Sequence, residues 1–413
     1  MRVDAAVLGA GIVGICAALH LQARGRATVL LDRRAPCEET SFGNAGLIQR
    51  EGVVPYAFPR DLGTLLRHAL GRSTAVHYHA SALAALAPFL WRYWCASRPE
   101  RHADIARRYA PLIERSLDEH ERLAAEAGAE ALFRRTGWLR VFHTARERDA
   151  HLAEAERVRR EFGVEFEALE PPALARLEPR LSSALAGGLW WPRPLAVVDP
   201  RALALAYLGR FERLGGRFVR GDARTLEPGD GHWRLGSAEG PIEARDVVVA
   251  LGPWADELTR ALGYRLPLAV KRGYHMHYRA ADGAALGRPV LDSEHGYCLA
   301  PMTRGVRLTT GAEFALRDAP KTPVQLERVE PVARALFPLG ERLDPEPWMG
   351  ARPCTPDMLP VIGRAPRHAN LWFAFGHAHH GLTLAAVTGR LVAELICGEA
   401  PLVDPSPYRA DRF

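Results

Sequence analysis

The sequence predicts an α/β chain in two domains: a parallel-sheet domain assembled from separate stretches of chain, and an α+β domain built on a mainly antiparallel sheet. Three observations predict it. Residues 3–8 (VDAAVL), 12–24 and 27–32 (ATVLLD) read as strand, helix and strand, a βαβ unit within about 30 residues. Helix, glycine stop and strand recur far downstream from Pro200 to Asp222, with Gly215-Gly216 as the stop, so the parallel sheet resumes there. The segments between and after carry long helices and short alternating strands, which suit a second sheet of another kind.

Taken in order, Ser81 to Gly128 has helical periodicity broken at Ser97-Arg98-Pro99, and Thr136 to His143 (TGWLRVFH) alternates like a strand. A helix follows near 147–162, then a connection rich in proline (Pro171-Pro172, Pro179) and a tryptophan pair, Trp190-Trp191. Residues 246–251 (DVVVAL) read as a fully buried strand ending in Gly252-Pro253-Trp254, and 268–278, 296–300 and 306–310 as strands of the second sheet. Leu371 to Phe375 is an apolar strand, Gly376 to Gly381 a tight turn rich in histidine, and Leu382 to Cys397 an apolar helix stopped by Gly398. The expected division is 1–76, 195–254 and 345–413 in one domain, and 77–194 and 255–344 in the other.

Composition narrows the function. The chain has 413 residues, 48% of them hydrophobic and 25% charged, with a formal net charge of +6. Lys271 and Lys321 are its only lysines, and its arginines are scattered with no basic run interleaved with aromatics, so no nucleic-acid partner is expected. The six cysteines are widely spaced without a C-x-x-C pair, which argues against a disulfide framework or a zinc site and suits a reducing cytoplasm. No signal peptide is expected. No stretch is an uncharged apolar run of about 18 residues or more, and the nearest, Ala80 to Trp91, is too short to span a bilayer and carries Pro88. A peripheral contact with the inner face of a membrane stays open through Trp91, Tyr93 and Trp94.

Gly9-Ala10-Gly11-Ile12-Val13-Gly14 lies between the first strand and helix, and Asp32 ends the second strand 18 residues beyond Gly14. This is a Rossmann-type dinucleotide fingerprint. Gly9 permits the tight turn, Gly11 lets the backbone approach a pyrophosphate and Gly14 lets the helix pack closely; the helix N-terminus favours the phosphate charge, and Asp32 would accept from a ribose hydroxyl. Arg33-Arg34 would suit a 2′-phosphate, which Asp32 would repel. The histidines His377, His379 and His380 have no acidic or thiol neighbour in sequence to complete a metal set, so no metal is expected.

The segments Glu39-Thr40-Ser41-Phe42-Gly43-Asn44-Ala45-Gly46, Arg352-Pro353-Cys354-Thr355-Pro356-Asp357 and Gly376-His377-Ala378-His379-His380-Gly381-Leu382-Thr383, in this order, resemble the D-amino-acid oxidase superfamily of flavoproteins. The likeness is strongest to its bacterial D-amino-acid dehydrogenases, with glycine and sarcosine oxidases as relatives. The resemblance implies FAD. Thr40 and Ser41 would lie along the pyrophosphate, and Asn44, Ala45 and Gly46 beside the isoalloxazine ring. Gly381, Leu382 and Thr383 would aim backbone N–H groups at the flavin N1–C2=O edge. Ile12, Val13, Arg33, Ala223, Gly252 and Trp254 complete the implied cofactor set.

On the substrate side the resemblance implies that Arg352 clamps a carboxylate by a bidentate contact, that Tyr274 closes the pocket, and that His379 or His380 faces the substrate. Gly350 stands where sarcosine oxidases attach FAD to a cysteine, which implies non-covalent FAD. The implied reaction is oxidative deamination of a small D-amino acid, with D-proline or cis-4-hydroxy-D-proline as one expectation, by hydride transfer from Cα to flavin N5. Oxygen, a quinone or an electron-transfer protein would take the electrons. A glycine- or sarcosine-type oxidase producing hydrogen peroxide, or a flavin-binding subunit without catalysis, are the alternatives.

Overall fold

The strand Arg2–Leu8 is buried from Ala5 onward on both faces, as a central parallel strand must be. It pairs in parallel with Thr28–Asp32 on one side and Gly240–Val249 on the other. Arg217–Arg220 continues the sheet beyond Thr28–Asp32, and Leu371–Phe375 lies beside Gly240–Val249, again in parallel. The computed structural model describes residues 1–413, and in it this sheet draws its parallel strands from widely separated stretches of chain.

The helix Ile12–Ala23 is apolar nearly all round because it is sandwiched. The last helix, Gly381–Cys397, packs across it so closely that a Cβ on Gly389 would lie 2.5 Å from the backbone carbon of Cys16. Beside them runs Pro200–Arg213, whose N-terminus is capped by Asp199 accepting from the Ala202 N–H. Together these helices and the sheet form the largest part of the core.

The second sheet centres on the long strand Ala269–Ala280, antiparallel to Gly305–Thr309 and to Trp348–Cys354. It runs on through Tyr297–Met302, Val290–Asp292, Trp138–Phe142 and Gly187–Trp191, and only two of its pairings are parallel. The α/β class and the mainly antiparallel second sheet thus agree with the sequence reading.

Three local differences have physical reasons. Trp348–Cys354, grouped from sequence with the dinucleotide domain, belongs to the second sheet; with Gly350 and Pro353 inside it shows no strand pattern of its own, and its long partner sets its register. Pro171 and Pro172 open a short helix, Pro171–Leu177, because the first turn of a helix needs no N–H from its prolines. The unforeseen helix Leu62–Ala69 buries none of its side chains, and Leu62 and Leu66 face solvent. The helices Leu83–Ala96 and Pro99–Ala127 flank the expected break, and Gly128 ends the second at φ 69°. Their aromatic cluster divides: Trp91 is exposed, whereas Tyr93 is buried and donates to the Tyr56 carbonyl at 2.8 Å.

Candidate cofactor and substrate site

A cavity of about 1010 Å³ is bordered below by the ends of the parallel strands and above by the second sheet. Its floor is mostly backbone. Gly9 sits at φ +107°, where a Cβ would come within 2.5 Å of the Ala250 carbonyl oxygen, and Gly9, Gly11, Ile12 and Val13 all border the cavity. Gly14 does not border it; a Cβ there would lie 1.8 Å from the Gly9 oxygen, so its part is to let the helix close on the turn. Asp32 accepts from the Ala10 N–H at 2.7 Å and the Arg34 N–H at 3.0 Å, one on each oxygen, which leaves lone pairs for a ribose hydroxyl. Ser41 Oγ accepts from the Ile12 N–H at 3.0 Å and keeps its own proton for a phosphate oxygen. Arg33, lying over the Trp254 ring, borders the cavity with Ala223, Gly252 and Trp254. A glycine cradle that side chains would fill, an open helix N-terminus and a free hydroxyl proton together fit a dinucleotide pyrophosphate.

Three residues of the expected cofactor set act differently. Thr40 borders the cavity, but its hydroxyl proton goes to the Ala351 carbonyl at 2.9 Å, fastening the loop to the second sheet. Gly46, at φ +74°, does not border the cavity; it turns the chain under Asn44, whose side-chain oxygen accepts its N–H, and lies against Val197. Asn44 and Ala45 do border it. Thr383 donates to the Leu47 carbonyl and accepts from the Gln49 N–H, stitching the loop to the last helix. The N–H groups of Gly381, Leu382 and Thr383 have no acceptor within the protein, as expected of a first helical turn, and Gly381 and Leu382 border the cavity.

On the roof, Arg352 donates to the Gly311 carbonyl at 2.7 Å and the Thr310 carbonyl at 3.1 Å, and no carboxylate lies within ion-pair distance of it. Its guanidinium lies over Gly273, where a Cβ would come within 2.4 Å of it. Tyr274 does not share that role. Its neighbours Lys271 and Gly273 lie on the Arg352 face, whereas the Tyr274 hydroxyl lies with Arg272, donating to Glu313 at 3.0 Å and accepting from the Thr322 N–H at 2.8 Å. Period-2 alternation turns the two sets apart. Tyr274 borders the cavity, but its hydroxyl is taken up by the buried Arg272–Glu313 network.

The aromatic that approaches the clamp is Tyr56, on the loop after Gly52, whose ring lies 4.6 Å from that of His379. Burial holds the His379 imidazole well below its usual range. His380 Nδ1 shares a hydrogen bond with the Tyr109 hydroxyl at 2.7 Å, its Nε2 has no partner, and burial lowers its pKa to about 3. Both rings border the cavity as neutral groups.

Sequence reasoning missed Tyr56, Glu51 and Lys271. Glu51 accepts from Gln49 and from the Trp138 indole, and burial raises it to about 7. For Lys271 a signal existed, since alternation along 268–278 puts it on the face opposite Arg272. Gly350 has no side chain to attach a flavin and lies under the Trp348 ring, which a Cβ would meet at 2.1 Å.

Comparison with known proteins gives a consistent picture. Residues 4–395 match the family DAO, described as FAD dependent oxidoreductase. The chain is 30% identical to a D-amino-acid oxidase of Bradyrhizobium diazoefficiens, over 99% of this chain and 98% of that protein. It is 29% identical to a D-amino acid dehydrogenase of Chromohalobacter salexigens, over 98% and 99%. Its fold is similar to that of glycine oxidase from Geobacillus kaustophilus, with a TM-score of 0.76 at 22% identity over 100% of this chain and 99% of that one.

Proposed function

We propose, from the premise that this chain belongs to the DAO family of FAD-dependent oxidoreductases, that it oxidises the Cα–N bond of a small D-amino acid. FAD supplies the acceptor for a hydride from Cα. Asp32, Ser41 and the glycine turn hold its ribose and pyrophosphate, and the open N–H groups at Gly381 and Leu382 favour negative charge at the flavin edge. Without an attaching residue at 350, FAD is held non-covalently.

The observation that carries the reading is Arg352: a guanidinium facing the cavity, held in place by two carbonyls and lacking any acid of its own. A substrate carboxylate supplies that acid and fixes which Cα hydrogen is presented. Tyr56, Phe58, Tyr93 and Phe314 give the cavity an apolar wall suited to a small ring such as D-proline or its 4-hydroxy derivative. A quinone, an electron-transfer protein or oxygen completes the turnover. No helix is long and apolar enough to cross a membrane.

The test is an anaerobic screen of the flavin-loaded protein against D- and L-amino acids. D-amino acids, and cyclic ones foremost, are expected to bleach the flavin, and acid should release FAD from the precipitated chain. Bleaching by L-isomers alone would reject the stereochemical reading, and hydrogen peroxide formed in air would identify oxygen as acceptor.

A further inference from the structure

Lys271 stands directly opposite Arg352 on the neighbouring antiparallel strand, the two Cα atoms being register partners. Their side chains therefore leave the sheet on the same face, with Cβ atoms about 5 Å apart, an arrangement that is destabilising for two like charges. Neither has a carboxylate within ion-pair distance. The Lys271 amine has one hydrogen-bond neighbour, the Met358 sulfur at 3.9 Å, and lies 4.0 Å from the centre of the Tyr93 ring and 5.6 Å from that of Phe314. An ammonium carries three donors, and here it meets no oxygen acceptor, only the sulfur and the ring faces, whose cation–π attraction offsets part of its lost hydration.

Resting on the proposed function above, we infer that Lys271 is the base that takes the proton from the substrate's amino group. Hydride can leave Cα only when the nitrogen has a lone pair to form the C=N bond, and a zwitterionic amino acid arrives without one. With the carboxylate on Arg352, the ammonium is delivered beside the cross-strand lysine. One N–H bond breaks and its proton bonds to Lys271 Nζ. The freed lone pair can then form the C=N bond as the Cα–H pair leaves as hydride, for which bound FAD would be the acceptor, giving an iminium; Lys271 returns its proton to water.

The groups facing Lys271 from every side support this. Arg352 and Cys354 come from Trp348–Cys354, Tyr56 from its loop, Tyr93 from Leu83–Ala96 and His379 from the turn before the last helix. Burial raises Cys354 and Tyr93 and lowers His379, so all three are neutral near pH 7, and Arg352 is the one charge. Burial, then Arg352, brings Lys271 down to about 8, close enough to neutrality to exchange a proton in each turnover. The histidines are too weakly basic for the task.

The test compares flavin-loaded wild type with Lys271→Met, which keeps the length of the side chain and removes the amine. In wild type the rate of anaerobic bleaching by a D-amino acid should fall as pH drops through about 8. In Lys271→Met at pH 7 it should be lower by about 100-fold, within the range of general base catalysis, and recover as pH rises far enough to deprotonate the amino acid in solution. Thermal stability should not fall, and butanoate, a carboxylate without an amine, should perturb the flavin spectrum as in wild type. An unchanged pH limb in Lys271→Met, or a loss independent of pH together with weaker butanoate binding, would overturn the assignment, the second making Lys271 a carboxylate partner. If no amino acid bleaches wild type, the amino-acid reading falls first and this inference with it.

Discussion

At the floor of the cavity, from Gly9 to Gly14, almost everything offered to a ligand is backbone: N–H groups, the open end of a helix, and glycines placed where no Cβ fits. At the roof, around Lys271 and Arg352, the groups are side chains carried by two strands of a sheet, with their charges left unmatched by any acid. The floor is intolerant of added atoms and nearly indifferent to the chemistry of its side chains. The roof is the reverse. A dinucleotide recognised by shape and dipole can be bound identically by many chains, while the choice of substrate rests with a few roof residues that can change without disturbing the cradle.

The largest test of that contrast is Gly14→Ala. Its methyl group would lie 1.8 Å from the Gly9 oxygen, so helix and turn must part. Overpacking of this kind costs roughly 1–3 kcal/mol or more, and because it spreads the phosphate cradle, bound flavin per chain should drop to near zero along with thermal stability. Full flavin content in Gly14→Ala would show that the floor adapts and break the comparison.

Arg352→Ala comes next and should act on the reaction alone. Removing one partner of a desolvated charge pair costs about 2–4 kcal/mol, so kcat/KM should fall by roughly 30- to 1000-fold at normal flavin content. Arg352→Lys should recover only part, since a point charge lacks the fork. An equal loss for an amine that carries no carboxylate would place Arg352 outside the clamp.

The smallest expected effect on turnover sharpens the boundary of the roof. Tyr274→Phe deletes a hydroxyl that serves Glu313 and the Thr322 N–H on the far face of the strand, so it should lower unfolding stability by about 1–3 kcal/mol and leave kcat/KM unchanged. A fall in kcat/KM with stability intact would give the Tyr274 hydroxyl a part in holding substrate.

The same contrast explains what could be read in advance. The floor is written in one short stretch, Gly9, Gly11 and Gly14, with Asp32 beyond it at the end of the next strand; one βαβ unit dictates these spacings, and the structure keeps their places. The segments after it were recognisable too, but the hydrogen bonds of Thr40 and Thr383 were not, because each hydroxyl finds its partner hundreds of residues away, on Ala351 and on Leu47. Tyr56 meets His379 only after the whole chain has folded, and nothing near residue 56 announces it. Lys271 and Tyr274 were separable in principle by alternation along one strand. A resemblance that transfers roles position by position overlooks which way a strand turns its side chains.

The contact between Gly389 and Cys16 bears on the order of events during synthesis. The helix that follows the glycine turn leaves the ribosome well before the helix that covers it, so the first must wait until Gly381–Cys397 has been made. Closing a loop of that length is also entropically slow. Until Gly381–Cys397 has packed, the back of the helix behind the glycine cradle, apolar nearly all round, stays uncovered.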